Sequence, residues 1–418
     1  MSKIKVVHIS TYASGGAGIA AYRIHEALIE RNIESSFLCL DANGLQQLNS
    51  CIEYPKPTYN IVQRAIRKFI RLTDKYYCFG KLFPGKYYRL QLKKIKSKLH
   101  CDASSLPYSI VDILKHPVVN NADIIHLHWV AGMLDYPSFF KKNKKPVVWT
   151  MHDLNPVLGL FHYEEDELRN HEVSSKLNYE IIEVKREAIK NKNCNLIIVA
   201  PSHWLLDKVE SSTVFNSIKK ECIYYPLNTN IFKPKVTDGL RNKLKLSENK
   251  TVLLFVSQTV VHFRKGYDLL IDAINNMDSS DIALFIIGYS QGLAINNSTI
   301  IYLGTASDNE ILSDYYSLAD AVIISSREDN LPNVMLESLA CGTPVLSFDV
   351  GGMAEIVQDG ISGLKAKAIN VEALKNVMEQ FKLEKEKYDS KIIREYAVNN
   401  FSNKVVAEKY LEVYKSIL

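Results

Sequence analysis

Short apolar runs alternate with helical patterning along the chain. The runs that suit buried strands lie at 4–9, 123–127, 146–150, 195–200, 251–256, 282–287, 321–326 and 344–349. Many of their residues are β-branched, and a polar loop followed by helical spacing comes after them. That order is typical of a parallel sheet wound by helices. The sequence therefore predicts an α/β fold with two Rossmann-like domains in succession.

The predicted domain boundaries lie where this rhythm stops and restarts. The segment 221–234 contains two prolines and two asparagines and separates the two sets of strands, so it suits a linker. We expect a first domain at 1–225, a linker at 226–234, a second domain at 235–395 and a helical end at 396–418.

Composition fits a chain that folds into two cores. It has 418 residues, of which 47% are apolar and 23% charged, which suits two domains of roughly 200 residues each. No apolar run approaches the ~20 residues that span a bilayer, and the N-terminus lacks the apolar stretch of a signal peptide. Seven scattered cysteines without a Cys-x-x-Cys pair favour a reducing compartment. We therefore expect a cytoplasmic protein.

Positive charge is concentrated in a basic insert at about 54–100. The net charge is +5, yet this insert contains 13 lysines and arginines against one acid, Asp74. A helix at 61–72 would separate apolar from basic residues, as helices at membrane surfaces do. We expect the range 61–100 to contact an anionic membrane surface, and packing of this helix on the first domain is the alternative. No nucleic-acid-binding module surrounds the insert, so nucleic acid is not an expected partner.

A predicted helix start in the second domain suits anion binding. The helix follows the run 321–326, and a proline suits its first turn. The backbone N–H groups that a helix start leaves without intrahelical partners would point into a cleft and hold an anion. The candidate ligand-binding residues here are Leu331, Pro332, Asn333 and Val334.

Two acids flank this helix start, Asp329 in the loop and Glu337 eight positions later. Acids beside an anion-binding helix start are costly unless they accept hydrogen bonds from neutral groups. Sugar hydroxyls and a ribose are such groups, and they are the candidate partners of the two acids. The alternative is that Glu328, Asp329 and Asn330 only form a solvated cap.

A basic pair precedes a second helix start. Arg264 and Lys265 stand before Gly266 after the run 251–256, and the sequence contains no Asp-x-Asp. A transferase without a bound metal must neutralise a departing diphosphate with protein cations and helix N-termini. This pair is placed to do so, although basic pairs also cap surface loops without binding a ligand.

Glycines and histidines supply the remaining candidates. Gly15 and Gly16 lie between a strand and a helix, where they let the backbone approach a phosphate or a sugar. They do not form a full G-x-G-x-x-G, so a nicotinamide cofactor is not expected. His128 and His152 lie at or just past strand ends, whereas His126 suits a satisfied core histidine. His126 and His128 would fit a metal site only if both were open, and we expect no metal.

These motifs resemble those of the family 4 glycosyltransferases through nearly the whole chain. The family's signature is an acid, seven residues and Glu, which here is DNLPNVMLE at 329–337; the segments 304–326 and 341–363 also match. The resemblance implies the GT-B fold, in which two Rossmann-like domains face each other across a cleft. It also implies that the final helix crosses back to the first domain.

The resemblance further implies roles for the candidate residues. Glu337 would bind the nucleotide ribose, Asp329 would lie near the donor sugar, and Lys265 would contact the diphosphate. His152 would be the active-site histidine, and the two glycines would form the family's glycine-rich turn.

Two positions depart from the family pattern. Asp329 stands where the first acid is usually Glu, and adjacent Glu328 could share its task. Thr259 stands where a second cation is often found, and Arg264 could replace it. Further side chains expected to contact the donor or acceptor are His128, Asp153 and Glu328.

The expected function is retaining transfer of a sugar from a nucleotide-diphosphate sugar to a glycan or lipid-linked acceptor in bacterial surface-polysaccharide synthesis. No cofactor or metal is expected, since protein groups position the donor and stabilise the leaving group. A nucleotide-sugar epimerase of the same architecture and a non-catalytic nucleotide-sugar-binding scaffold are the alternatives. The expected location is the cytoplasm, at the inner face of the cell membrane.

Overall fold

The computed structural model describes residues 3–42, 51–55, 84–290, 299–306 and 308–418. Its first domain contains a parallel sheet in the strand order β3-β2-β1-β4-β5-β6-β7. The strands are β1 (Lys5–Tyr12), β2 (Glu34–Asp41), β3 (Cys51–Glu53), β4 (Ile124–Leu127), β5 (Val147–Thr150), β6 (Leu196–Ala200) and β7 (Lys219–Cys222).

Helices cover both faces of this sheet. They are α1 (Gly15–Ile29), α2 (Pro84–Ile95), α3 (Pro117–Asn121), α4 (Tyr136–Lys142), α5 (Glu164–Arg169), α6 (His171–Lys190) and α7 (His203–Ser211). Side chains alternate between the faces of a strand, so neighbouring Val6 and Val7 of β1 belong to two different cores. Because both faces are covered, the central strands are buried along their whole length.

The second domain repeats this plan with a parallel sheet in the order β10-β9-β8-β11-β12-β13. Its strands are β8 (Thr251–Thr259), β9 (Ile282–Tyr289), β10 (Ile300–Tyr302), β11 (Ala321–Ile324), β12 (Val345–Phe348) and β13 (Gly363–Ala366). Its helices are α8 (Asp238–Lys243), α9 (Tyr267–Asn275), α10 (Asn309–Leu318), α11 (Asn333–Ala340), α12 (Gly351–Ile356) and α13 (Val371–Glu384). Strands occupy all eight apolar runs named above, and the predicted α/β fold class is confirmed.

The chain ends in two helices, α14 (Ser390–Phe401) and α15 (Asn403–Ile417). The prediction of one continuous helix at 396–418 was therefore wrong, because the helix is broken at Ser402. Ser402 between them is extended, with φ −59° and ψ 148°. Leu227 of the linker forms hydrogen bonds with the backbone on both sides of this break. Its N–H donates to the Phe401 carbonyl at 2.7 Å, and its carbonyl accepts from the Asn403 N–H at 3.1 Å. These two hydrogen bonds to the linker thus replace intrahelical hydrogen bonds at the break.

The last helix crosses back to the first domain, as the family resemblance implied. Helix α15 packs against α1. The Tyr414 hydroxyl lies 2.6 Å from His126 Nδ1, and the Tyr410 hydroxyl lies 2.9 Å from Thr150 Oγ1. Because these groups are buried, their hydrogen bonds fix how the end of the chain sits on the first sheet.

The described part of the basic insert packs on the first domain. Tyr88, Leu92 and Ile95 of α2 contact a cluster that includes Leu177 and Ile181 of α6. Exposed lysines of this segment are Lys93, Lys94, Lys96 and Lys98. The helix predicted at 61–72 lies outside the described residues. None of the helices that the structure describes is both long enough and apolar enough to cross a membrane.

Gly266 joins the basic pair to α9 and approaches the end of β11 closely. Its φ is +64°, and a Cβ there would lie 1.9 Å from the Ser325 carbonyl oxygen, whereas Gly304, with φ +76°, has no atom within 4 Å of such a Cβ.

We predict that Gly266→Ala lowers the free energy of unfolding by about 2–4 kcal/mol, because backbone strain and a steric clash combine. Gly304→Ala, which adds strain alone, should cost about 1 kcal/mol. Urea unfolding measures both, and equal losses would show that the close approach has no role.

Candidate functional site

The carboxyl ends of the strands of the two sheets meet across a cleft. Asn330, after β11, donates its side-chain amide to the backbone carbonyl of His152, after β5, at 3.2 Å. Ser202, before α7, donates its hydroxyl to the Asn330 side-chain oxygen at 2.6 Å. Open α/β sheets bind ligands at this edge, and the residues predicted from the two domains lie here together.

Arg264 and Lys265, between β8 and α9, both pair with Asp329. Lys265 Nζ lies 2.6 Å and Arg264 Nη1 3.0 Å from Asp329 Oδ2. The Arg264 guanidinium also lies 4.1 Å from the ring centre of Tyr163 and 3.6 Å from Asp102, both of the first domain. Burial alone raises the pKa of Asp329, but the two cations outweigh it and hold this pKa at about 2. The acid is therefore ionised, and it keeps both cations at the cleft.

Glu337 of α11 has a partner for each of its carboxylate oxygens. Arg23 of α1 donates to Oε1 at 2.6 Å, and the Tyr316 hydroxyl donates to Oε2 at 2.7 Å. The side chains of Arg23 and Glu337 are 9% and 7% exposed. Loss of either charge would leave the other buried without compensation, so each residue depends on its partner in the other domain.

The glycine-rich turn lies against the start of α11. Asn333, the first residue of α11, donates to the Gly16 carbonyl at 2.9 Å. The side-chain oxygen of Gln258 would lie 3.3 Å from a Cβ at Gly15, so this position faces the second domain closely. The structure thus brings the turn beside the residues predicted from the helix start, which are Leu331, Pro332, Asn333 and Val334.

A hydrogen-bonded chain of histidines ends at His152. His8 Nδ1 lies 2.9 Å from His128 Nε2, His128 Nδ1 lies 3.1 Å from His152 Nε2, and His152 Nδ1 lies 2.8 Å from the Tyr225 hydroxyl. Burial lowers the pKa of all three histidines, that of His152 to about 4. The rings are neutral at pH 7, so in each ring one nitrogen can donate a hydrogen bond and the other can accept one. Both ring nitrogens of His152 are engaged within the protein.

His126 is a satisfied core histidine, as predicted, because the hydroxyls of Tyr414 and Thr150 partner its two nitrogens. One ring nitrogen each of His8, His126 and His128 lie within 4.8 Å of one another, a spacing compatible with a metal ion. Hydrogen bonds already occupy five of the six ring nitrogens, and His8 Nε2 has no partner. The trio therefore fits a closed polar core better than a metal site.

Asp153 anchors the loop that follows His152. Its carboxylate accepts hydrogen bonds from Trp129 Nε1 at 2.7 Å, His162 Nδ1 at 2.6 Å and the Asn155 N–H at 2.9 Å. Burial alone raises the pKa of Asp153, but these partners, His162 foremost, lower it below the usual value. In this arrangement the carboxylate has a structural task beside its predicted contact with donor or acceptor.

Lys185 of α6 binds the loop after His152 from the interior of the protein. It is fully buried, and its ammonium donates to the carbonyl oxygens of Asn155, Leu158 and Gly159. Burial lowers the pKa of Lys185 to about 7. Three backbone carbonyls therefore depend on one lysine, which no local sequence pattern had indicated.

Two glutamates of the second domain bind helix starts of the first. Glu328 accepts hydrogen bonds from the first two N–H groups of α5, each at 3.2 Å, and Glu355 accepts from the first two of α7 at 2.9–3.3 Å. Anions are favourable at helix N-termini. Burial nevertheless raises the pKa of Glu328 to about 7, and the N–H donors offset only part of this shift. Its carboxylate is engaged at α5, whereas the ion pairs of Arg264 and Lys265 at this loop are with the Asp329 side chain.

Some residues of the site were missed by sequence reasoning. Tyr163, Tyr225 and Asp102 lie in loops, and no pattern around them distinguishes them from other loop residues. Arg23 had a detectable signal, because it interrupts the apolar residues of a helix that begins at a glycine-rich turn. A charged residue at such a position indicates a buried partner, although not which one.

Residues 236–398 match the model of the family described as glycosyl transferases group 1. This segment contains Lys265, Asp329 and Glu337 and covers the helices and strands of the second domain. The second domain therefore matches this family, which confirms the resemblance to the glycosyltransferases.

Similarity to known proteins extends over most of the chain. It is 24% identical over 78% of its length to an uncharacterized 41.2 kDa protein in the cps region of Klebsiella pneumoniae, covering 87% of that protein. It resembles the structure of Anabaena Alr3699/HepE in complex with UDP and glucose, with a TM-score of 0.66 and 17% identity over 99% of this chain and 100% of that one. It also resembles WaaG, a glycosyltransferase involved in lipopolysaccharide biosynthesis, with a TM-score of 0.61 and 16% identity over 98% and 99% of the chains. The structural likenesses establish the GT-B fold.

We predict that Glu328→Gln changes how stability depends on pH. The pKa of Glu328 is about 7 in the folded protein against 4.5 for an ordinary Glu, so the folded state binds more protons between these values and loses stability as pH rises through them. Gln is neutral at every pH and lacks this loss. The variant should therefore gain on the order of 1–3 kcal/mol relative to wild type between pH 5 and pH 8.

Urea unfolding at pH 5, 6, 7 and 8 measures this difference. Parallel pH profiles of the two proteins would show that Glu328 keeps an ordinary pKa in the folded state.

Proposed function

We propose that this chain transfers a sugar, with retention of configuration, from a nucleotide-diphosphate sugar to a glycan or lipid-linked acceptor. The observation that supports this best is a set of charged side chains at one cleft. Arg264 and Lys265 form ion pairs with Asp329, and Glu337 lies beside the glycine-rich turn. A diphosphate needs cations, and a ribose needs hydrogen-bond acceptors. The diphosphate of a nucleotide sugar thus matches Arg264 and Lys265, and its ribose matches Glu337.

The diphosphate of the donor would replace Asp329 as the ion-pair partner of Lys265 and Arg264. Negative charge on the diphosphate grows as the sugar leaves, so cations that are already in place stabilise the transition state more than the bound donor. Because two side-chain cations supply this charge, the proposed reaction needs no metal. Glu337 would accept hydrogen bonds from the ribose hydroxyls.

The acceptor would approach from the first domain, where His128, His152 and Asp153 lie at the strand ends. A neutral His152 would exchange one of its present hydrogen bonds for one to the donor sugar, and it would supply no positive charge. In the retaining scheme that the family resemblance implies, a donor phosphate oxygen takes the acceptor's proton on the same face. The protein's contribution is then positioning and stabilisation of the leaving group.

The relatives support a role in polysaccharide synthesis. One is described as lying in a cps region, another as involved in lipopolysaccharide biosynthesis, and a third was crystallised with UDP and glucose. We propose a nucleotide sugar as donor, a growing bacterial surface glycan as acceptor, and action from the cytoplasm at the inner face of the cell membrane.

The epimerase and the scaffold remain the alternatives. An epimerase would release a changed sugar nucleotide without an acceptor, and a scaffold would bind the donor without turning it over. Analysis of the products separates the three, because a transferase yields nucleoside diphosphate together with transferred or hydrolysed sugar.

We predict that Lys265→Ala lowers release of nucleoside diphosphate from the active nucleotide sugar by about 100-fold or more, because the leaving group loses a preorganised cation. Lys382→Ala is the matched control. Lys382 pairs with Asp281 at 2.6 Å, at the amino end of β9 and away from the cleft, so turnover should not change. Assays with EDTA test metal independence at the same time. Near-normal turnover of Lys265→Ala would disprove the diphosphate assignment, and an absolute need for a divalent metal would disprove the metal-free mechanism.

We also propose that the basic insert contacts an anionic membrane surface. The apolar side of α2 packs partly on α6, so in the described part of the insert charged side chains would make this contact. The supporting residues in the described part are the exposed lysines Lys93, Lys94, Lys96 and Lys98.

Reversing two of these charges should weaken membrane binding. Each basic residue near an anionic surface contributes ~1 kcal/mol, so Lys96→Glu with Lys98→Glu should weaken binding to phosphatidylglycerol vesicles roughly 10-fold or more at low salt. Lys385→Glu with Lys387→Glu, in the second domain, is the control and should bind like wild type. Vesicle sedimentation measures both, and no binding of wild type at low salt would remove the proposal.

A further inference from the structure

Arg23 is a charged residue in the buried part of α1. Its neighbours Ala20 and Ile24 are core residues, and Arg23 itself is 8% exposed. Its guanidinium lies 5.3 Å from the ring centre of Phe232 in the linker region and donates to Glu337 across the cleft. A buried cation is costly without a partner, so its position depends on the carboxylate of the other domain.

Asn333 makes a second link beside this ion pair. Its side-chain oxygen accepts a hydrogen bond from Arg23 Nη1 at 3.5 Å, and its side-chain nitrogen donates to the Gly16 carbonyl at 2.9 Å. These contacts join α1 and the glycine-rich turn to the start of α11. The region to which we assign the nucleotide is therefore occupied by contacts between the domains.

The two partners of Glu337 differ in origin. Tyr316 belongs to α10 of the same domain, whereas Arg23 reaches Glu337 from the first domain. A carboxylate can accept about four hydrogen bonds, so Tyr316 can stay while two ribose hydroxyls enter. Arg23 occupies Oε1 of Glu337 from the first domain, so it competes with a ribose hydroxyl for this oxygen.

We propose that Arg23 is a gate on the donor site: it occupies Glu337 in the donor-free protein, and the ribose of a nucleoside diphosphate displaces it. This inference rests on the proposed function, in which Glu337 binds the ribose. The gate keeps a buried carboxylate paired while the site is empty, and it lowers the apparent affinity for the donor by the fraction of molecules in which it is closed. The pair of Lys265 with Asp329 differs, since both residues belong to the second domain.

The test is the affinity for nucleoside diphosphates, measured by calorimetric titration with UDP, GDP, ADP and CDP. Arg23→Met should bind the preferred nucleotide about 3- to 10-fold more tightly than wild type, because a larger fraction of molecules is competent to bind. Removal of a residue that only supports the fold, or that holds the nucleotide itself, would weaken binding. Unchanged or weaker binding overturns the gate.

The ribose hydroxyls should account for the gain. The 2′,3′-dideoxy form of the same nucleotide cannot take the place of Arg23 on Glu337, so its affinity should change less than about 2-fold in Arg23→Met. An equal gain with both nucleotides would overturn the assignment of Glu337 as the gated acid.

Arg31→Met is the matched control. Arg31 follows the same helix and pairs with Glu408 of α15 at 2.6 Å, so this change removes the same charge and another long-range ion pair without reaching the cleft. Its nucleotide affinity should match that of wild type. If Arg23→Met does not fold, Arg23→Lys replaces it: lysine lacks the planar fork of arginine, so the gate should loosen, and binding no tighter than wild type overturns the proposal.

The outcomes separate this proposal from the proposed function. Binding to neither wild type nor Arg23→Met overturns the donor site and the gate together. Binding to wild type without a gain in the variant overturns the gate alone. Binding to the variant alone supports a gate that is closed in nearly all donor-free molecules.

Discussion

Charged side chains that are buried between two domains need partners, and the cleft of this protein is organised by that constraint. Glu337 forms an ion pair with Arg23, and Asp329 forms one with Lys265. Glu328 accepts hydrogen bonds from the start of a helix of the opposite domain. An unpaired charge at any of these places would carry a large desolvation penalty. In the donor-free protein, groups of the first domain therefore supply partners for Glu337 and Glu328, whereas Asp329 is paired with Lys265 of its own domain.

The same constraint explains how a cleft full of internal contacts can be a binding site. A nucleotide sugar offers negative phosphates and neutral hydroxyls, which are the partners that Lys265 and Glu337 would need if their present contacts were broken. Donor binding would then give Lys265 and Glu337 new partners in place of Asp329 and Arg23. Affinity depends on the difference between the two sets, and rate on the further gain as charge develops on the leaving group.

The features that could be predicted from the sequence were those that a short stretch of chain determines. The strand runs, the turn with Arg264 and Lys265, and the helix that holds Glu337 follow from spacing and local propensity. Arg23 and Glu337 are 314 positions apart, and no local pattern specifies such a pair. The break at Ser402 was missed for the same reason, since the linker determines it through hydrogen bonds to a distant part of the chain.

The most direct measurement is a crystal structure of the protein with a bound nucleoside diphosphate. We predict that the diphosphate lies within hydrogen-bond distance of Lys265 and Arg264, and that the ribose hydroxyls donate to Glu337, from which Arg23 has moved away. A nucleotide bound outside the cleft, with these pairs intact, would contradict the claim that exchange of buried partners forms the donor site.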